Sequence, residues 1–538
     1  MRTATRALIG AVAVALVASA CGGGGGGSEE SANSFSAHSG EPESLIPGNT
    51  NESEGGKISS LLFSALTTTD PKTGESVNRV AESVEGSEDM KTWTIKVKDG
   101  MKFHNGEDVT AESFVGAWNG TVYNALGNSY FFTDLLRVKG AADVAEQKTK
   151  EMSGLETDGQ TITMELDAAN RSVPLIIAYT AFYPMPEAGV EALAKGSKSA
   201  AYKKYQDAPI GNGPYAMDGK WQHNEQIKLK KYGAYKGDDE GKADAITFKI
   251  YSNPDTAYND VTAGNLDVDD NLPPAKLGTA PDEFGDRYAD APSSSFTSLA
   301  FPQWEKAYQD VRVRQAFSMA IDREQIDKKI FSGTVDPAKS LVTPLIKLGT
   351  RDDPCGEPCT FNVTKAKQLL DEAGFDKSKT VELWFNTGVG NEDWINAVAG
   401  QLRKNLGIKV KPKGLAWAQY LDATDKHKQN GPFRYAWIMD YPSPDNYLEP
   451  LYGTNGSSNT TGYSNKKVDA ALNKAKEQTS DDEAVKYYHQ AEDMILKDLP
   501  VTPLWYGEEQ AVVSDRVSSP TWDAHGYLQY EKVEVKEG

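Results

Sequence analysis

Residues 381–410 read VELWFNTGVGNEDWINAVAGQLRKNLGIKV. Residues 381–385 predict a strand, residues 392–406 a helix closed by Gly407, and residues 408–410 a second strand. A strand, a helix and a strand within thirty residues form a βαβ unit, so parallel pairing with a right-handed crossover is expected. That unit places the chain among α/β folds.

Just downstream, residues 433–452 read FRYAWIMDYPSPDNYLEPLY. Seven residues almost without charge end at Asp440 and a Pro-rich break, the pattern of a strand that delivers one carboxylate to a sheet edge or cleft. The plainer alternative is an Asp that starts a turn before Pro442 and Pro444. Asp445 and Asn446 read as caps of the next helix.

Upstream, Val313, Ala316, Phe317, Ala320 and Ile321 share one helical face, predicting a helix over residues 311–331 stopped by Gly333. Arg312, Arg314 and Arg323 fall on its charged side and read as structural. Thr364 is expected to cap a further helix that ends at Gly374, and Ser480 with Glu483 forms a capping box for a helix ended by Pro500. Residues 57–66 predict a helix. Trp93, Ile95 and Val97 alternate as a half-buried strand, and Gly211-Asn-Gly-Pro-Tyr215 is a tight turn.

The chain has 538 residues, too many for one core, and a formal charge of −20. That balance argues against nucleic acid, which needs a basic footprint, and mildly favours cationic ligands. Arg2 and Arg6 precede an apolar run to Ala20 that is too short to span a bilayer, so residues 1–20 read as a signal peptide. Residues 18–21 resemble the lipobox of bacterial lipoproteins, with Ala18 where Leu is usual, and Cys21 is the expected lipidation site. Six glycines follow, and residues 21–34 make a tether of about 20 Å reach. Cys355 and Cys359 are expected to form a small disulfide loop in an oxidising compartment. No metal site is expected, since six scattered histidines and no further cysteine complete no zinc set. Zincin, nucleophile-elbow, Walker and dinucleotide motifs are all absent from the sequence. An acid pair of the glycosidase kind stays open, because carboxylates are plentiful.

Four ordered blocks carry a resemblance. They are Thr69-Asp-Pro-Lys-Thr-Gly-Glu75 with residues 80–84 and 92–114, then residues 211–215, then residues 310–323 (DVRVRQAFSMAIDR), then residues 437–463 with the Asp469 helix and residues 498–504. Together they are similar to the oligopeptide- and dipeptide-binding proteins of ABC importers, extracellular solute-binding protein family 5. The resemblance implies a two-lobed, periplasmic-binding-protein-like α/β fold of the large peptide-binding type (class II) with an inserted subdomain. It implies a first lobe from residues 35–66, 187–290 and 506–538, an inserted subdomain at 67–186 and a second lobe at 291–505. It also implies no catalysis, no cofactor, a monomer exported and held at the membrane only by lipid on Cys21, and an ABC permease as partner. Hinged lobes close on a short peptide. Asp440 matches the residue that holds the peptide α-amine, and Trp437, Ile438 and Met439 accompany it. Asn51, Glu52 and Ser53 match first-lobe contacts loosely, and Tyr130 is expected to line the cleft. The resemblance leaves open another cargo, such as an oligosaccharide or metal complex, and a peptide-sensing receptor; a secreted hydrolase is the remote alternative.

Overall fold

The computed structural model describes residues 32–387 and 390–536. The expected signal peptide, Cys21 and most of the expected tether lie outside the described residues.

The strands Thr380–Asn386 and Lys409–Leu415 are parallel, with Val381 opposite Val410, and the helix Asn391–Leu406 joins them. Gly407 closes that helix at a left-handed φ of 69°. The unit forms one edge of an eleven-stranded sheet. Inward from it come Phe433–Trp437, then Tyr288–Ala300 and Val501–Val513, then Val268–Asp269, Ser34–Ser39, Ala245–Ile250, Gln226–Lys231 and Tyr215–Met217.

Two strands of 13 residues each, Tyr288–Ala300 and Val501–Val513, run from one half of the molecule to the other. Their far ends serve different cores. Phe296 and Ala300 pack in the half that holds the βαβ unit, whereas Ala511 and Val513 pack with Phe35, Ile246 and Phe248. Between the halves their register shifts, from Pro292 to Phe296. Gly507 lies at this crossing, where an added Cβ would sit 2.3 Å from the Ser295 hydroxyl. A paired ribbon with a break in its ladder is a place where lobes can bend without unfolding either core.

A third core belongs to a four-stranded antiparallel sheet of Ala81–Gly86, Thr92–Val97, Thr161–Glu165 and Leu155–Asp158. Trp93, Ile95 and Val97 turn inward against Phe114 and Trp118 of the helix Ala111–Tyr123, as their alternation requires. The 211–215 turn pins this subdomain to the first lobe. Asn212 exchanges two hydrogen bonds with the Ser64 backbone (2.9 and 3.1 Å), and the His104 ring lies 3.0 Å from the Gly213 carbonyl.

Several local expectations need correction. Residues 311–331 are not one helix: Val311–Met319 ends, and Asp322 caps a new turn, Arg323–Ile326, through the Gln325 amide at 3.0 Å. Arg314 and Arg323 are buried, not spread on a charged face. Arg323 donates to the carbonyls of Pro503 (2.7 Å) and Cys359 (3.1 Å), and Arg314 to that of Leu499 (2.9 Å), so both tie neighbouring segments together. The early helix is Ser53–Leu62, capped by Glu52, and Asn362 takes the capping position expected of Thr364. Cys355 and Cys359 are joined, with Cα atoms 5.7 Å apart.

Candidate functional site

The strand Phe433–Trp437 pairs along its length with residues 296–300 but meets Thr380–Asn386 only at Phe433. Among the described residues no strand pairs with its second edge beyond that residue, though the Tyr420 hydroxyl takes the Arg434 carbonyl. The strand stops at Trp437, short of the seven apolar residues expected, and the next three side chains diverge. Ile438 is 62% exposed, Met439 turns into the second-lobe core, and Asp440 faces a cavity of about 570 Å³.

That cavity lies between two separately built bodies. Tyr130, Leu135 and Arg137 of the inserted subdomain form one wall; Trp437, Asp440, Glu449 and residues 453–458 form the other. The Tyr130 hydroxyl donates to Asp440 Oδ1 at 2.9 Å across this gap, a contact between residues 310 apart in the chain. Asn446 Nδ2 donates to Asp440 Oδ2 at 3.2 Å. Asp440 pairs with no cation among the described residues. Burial pushes its carboxyl above the usual Asp range, against the two hydrogen bonds, which pull it down. The Tyr130 phenol is pushed far up, by burial first and by the Asp440 charge second.

Asp445 and Asn446 do not cap the helix Pro444–Tyr452; both lie inside its first turn. Asp445 is fully buried and accepts from the Ser172 hydroxyl at 3.0 Å and the Tyr441 hydroxyl at 3.0 Å. The Tyr441 ring sits in the core of the inserted subdomain. The segment that carries Asp440 is thus clasped by the subdomain on both sides.

Glu52 lines a smaller cavity of about 80 Å³ with Tyr179, Tyr183 and Tyr527. Its carboxylate accepts from the Gly55 amide at 2.9 Å, so part of its capacity is committed to capping. Asn51 and Ser53 are exposed and line neither cavity. Tyr179 of the inserted subdomain and Tyr527 of the C-terminal segment both feel the Asp440 charge, which brings this smaller cavity close to the Asp440 one.

Two residues escaped sequence reasoning. Arg434 has no ion pair among the described residues, its buried Nε finds no partner, and burial lowers its pKa. A cation inside a strand ahead of an acid was the available signal. Trp417 is 51% exposed at the start of the helix Trp417–Asp425, and Tyr420 of that helix donates to the Arg434 carbonyl at 2.5 Å. A possible ion site, His38 with Asp269 and Asp270, contributes to neither cavity. Asp270 there already takes the Lys57 ammonium at 3.1 Å and the Tyr530 hydroxyl at 2.5 Å, which balances its charge.

Two lobes sharing crossing strands, with a carboxylate in the gap between bodies, define a solute-binding protein. Residues 75–459 match the bacterial extracellular solute-binding proteins, family 5 (middle region), and the chain belongs to that family. It is 28% identical over 515 residues to the oligopeptide-binding protein OppA of Bacillus subtilis, covering 92% of this chain and 91% of OppA. It is 25% identical to the dipeptide-binding protein DppE of the same organism, over 84% of this chain and 82% of DppE. Among solved structures, OppA of Haemophilus influenzae in complex with the peptide RPPGFSPFR superposes with a TM-score of 0.73 at 24% identity, covering 94% of this chain and 99% of that one.

Proposed function

We propose that this protein captures short peptides between its lobes and delivers them to the transmembrane subunits of an ABC importer. The observation that carries this reading is Asp440, a carboxylate on an inter-body cavity, fixed by two donors and matched by no cation among the described residues. An enclosed ammonium costs several kcal/mol unless an opposite charge meets it, and Asp440 supplies that charge to a peptide α-amine. The second edge of Phe433–Trp437 takes the extended peptide backbone as an added strand, which gives affinity without reading side chains.

In this reading Trp437, Ile438 and Tyr130 border the ligand, Met439 contributes main chain, and residues 51–53 close from the first lobe. Residues 35–66, 187–290 and 506–538 form that lobe, 67–186 the inserted subdomain and 291–505 the second lobe. Cys21 carries the lipid that holds a monomer at the outer face of the membrane. The protein acts without catalysis or cofactor. The likeness to OppA and DppE supports the peptide cargo and the importer role.

Native mass spectrometry of residues 28–538, followed by release and sequencing of whatever co-purifies, tests the cargo. A ladder of short peptides is the expected result. A sugar or a metal complex in the cleft, or a bare protein whose mass no peptide shifts, would contradict it.

A further inference from the structure

The Asp440 site depends on one wholly buried side chain, Asn446. Its Oδ1 accepts from the Trp437 indole Nε1 at 3.0 Å and from the Asp440 main-chain N–H at 2.9 Å, and its Nδ2 donates to Asp440 Oδ2 at 3.2 Å. Both the indole and the main-chain nitrogen can only donate, so the amide oxygen must face them and the amide nitrogen must face the carboxylate. No other orientation satisfies all three partners.

We infer that Asn446 is a positioning residue for ligand capture: it fixes the Trp437 ring and the Asp440 carboxylate relative to each other and supplies one of the two side-chain donors that aim that carboxylate at an incoming ammonium. The inference rests on the amine-binding role proposed for Asp440. Chemistry favours Asn over its isostere. An Asp at 446 keeps both accepting bonds but removes the donor to Asp440 and sets a second negative charge against it; an Ala removes all three bonds. Either change leaves Tyr130 as the sole side-chain donor to a carboxylate whose burial already favours the proton.

Other titratable groups also face Asp440. The phenols Tyr130, Tyr179, Tyr447 and Tyr527 are all raised by burial and stay protonated through neutral pH. Arg137 and the acids Asp134, Glu449 and Asp469 line the same cavity, but none hydrogen-bonds Asp440.

The test measures, from pH 4 to 8, the affinity of wild type, Asn446→Asp and Asn446→Ala for trialanine and for its N-acetylated form. In wild type the trialanine affinity rises with pH through the Asp440 midpoint, while the acetylated peptide shows no such rise. Both variants are expected to move the trialanine midpoint up by about one pH unit or more and to reduce the free-amine preference at least tenfold near neutral pH. A merely structural Asn446 would weaken both peptides alike with an unmoved midpoint, and that result overturns the inference, as does failure of both variants to fold. Wild type binding neither peptide, or both equally, would instead overturn the amine-binding role of Asp440 and the inference with it.

Discussion

Asp440 has room for about four hydrogen bonds on its two oxygens, and Tyr130 and Asn446 take two of them. The rest is left for a ligand. Removing the phenol oxygen in Tyr130→Phe takes away a donor to a charged acceptor, a loss of about 1.5–3 kcal/mol at most, so a free-amine peptide should bind roughly tenfold or more weakly by calorimetry. The pH dependence follows from the raised Asp440 pKa. Between the ordinary Asp value and the raised one, the empty protein holds a proton that the incoming ammonium must expel. Affinity therefore rises with pH through that window, with proton release on binding, and levels off above it; an affinity that falls over the same window would contradict the pairing. Asp440 stood out in the sequence as an acid closing an apolar strand, but the strand alone favoured a turn-starting Asp, and only the family resemblance singled it out as a ligand residue. Asn446 was not legible, because its three partners are gathered by the Pro442–Pro444 turn, and Asn in a first helical turn more often caps. Nothing local announces Tyr130, whose partner lies 310 residues away.

At the scale of elements, what orders the site is how separate segments are pinned together. Gly211 approaches the chain end of helix Ser53–Leu62 so closely that a Cβ would lie 1.8 Å from the Leu62 carbonyl oxygen. Backbone cannot move aside as a side-chain tip can, so Gly211→Ala should cost on the order of 2–4 kcal/mol, read as a lower denaturation midpoint. His104 serves the same joint, and burial lowers its pKa to about 4. A histidine held neutral in the fold stabilises fully above its unfolded value near 6.5 and loses that contribution as pH falls toward 4. Stability should thus decline over that interval, by up to about 3 kcal/mol from this ring, and His104→Gln should flatten the decline. Long periodic elements such as the βαβ unit were legible, since one repeat and one closing glycine define them. The break at Asp322 was not: the apolar face continues across it, and only the cap at Gln325 and the buried Arg323 reveal a second turn.

Across the whole molecule, two crossing strands join the cores of the two lobes, the inserted subdomain keeps a core of its own, and the proposed ligand site is the gap between subdomain and second lobe. The cavity carries Asp134, Asp440, Glu449 and Asp469 against Arg137, while buried Lys476 supports Glu449 at 2.7 Å from outside the lining. Once a ligand amine neutralises Asp440, negative charge remains. A tripeptide with lysine at its first position should therefore bind more tightly than one with norleucine there, by a few-fold that shrinks with added salt; equal affinities would show that the wall does not read charge. The most direct measurement of the central pairing is a double cycle by calorimetry: a free-amine tripeptide and its N-acetylated form, each against wild type and Asp440→Ala. Loss of either partner should cost about 3–5 kcal/mol, or two to three and a half orders of magnitude in Kd, and losing both should cost little more than losing one. Additive losses, or a wild-type protein indifferent to acetylation, would mean that Asp440 and the peptide amine do not meet.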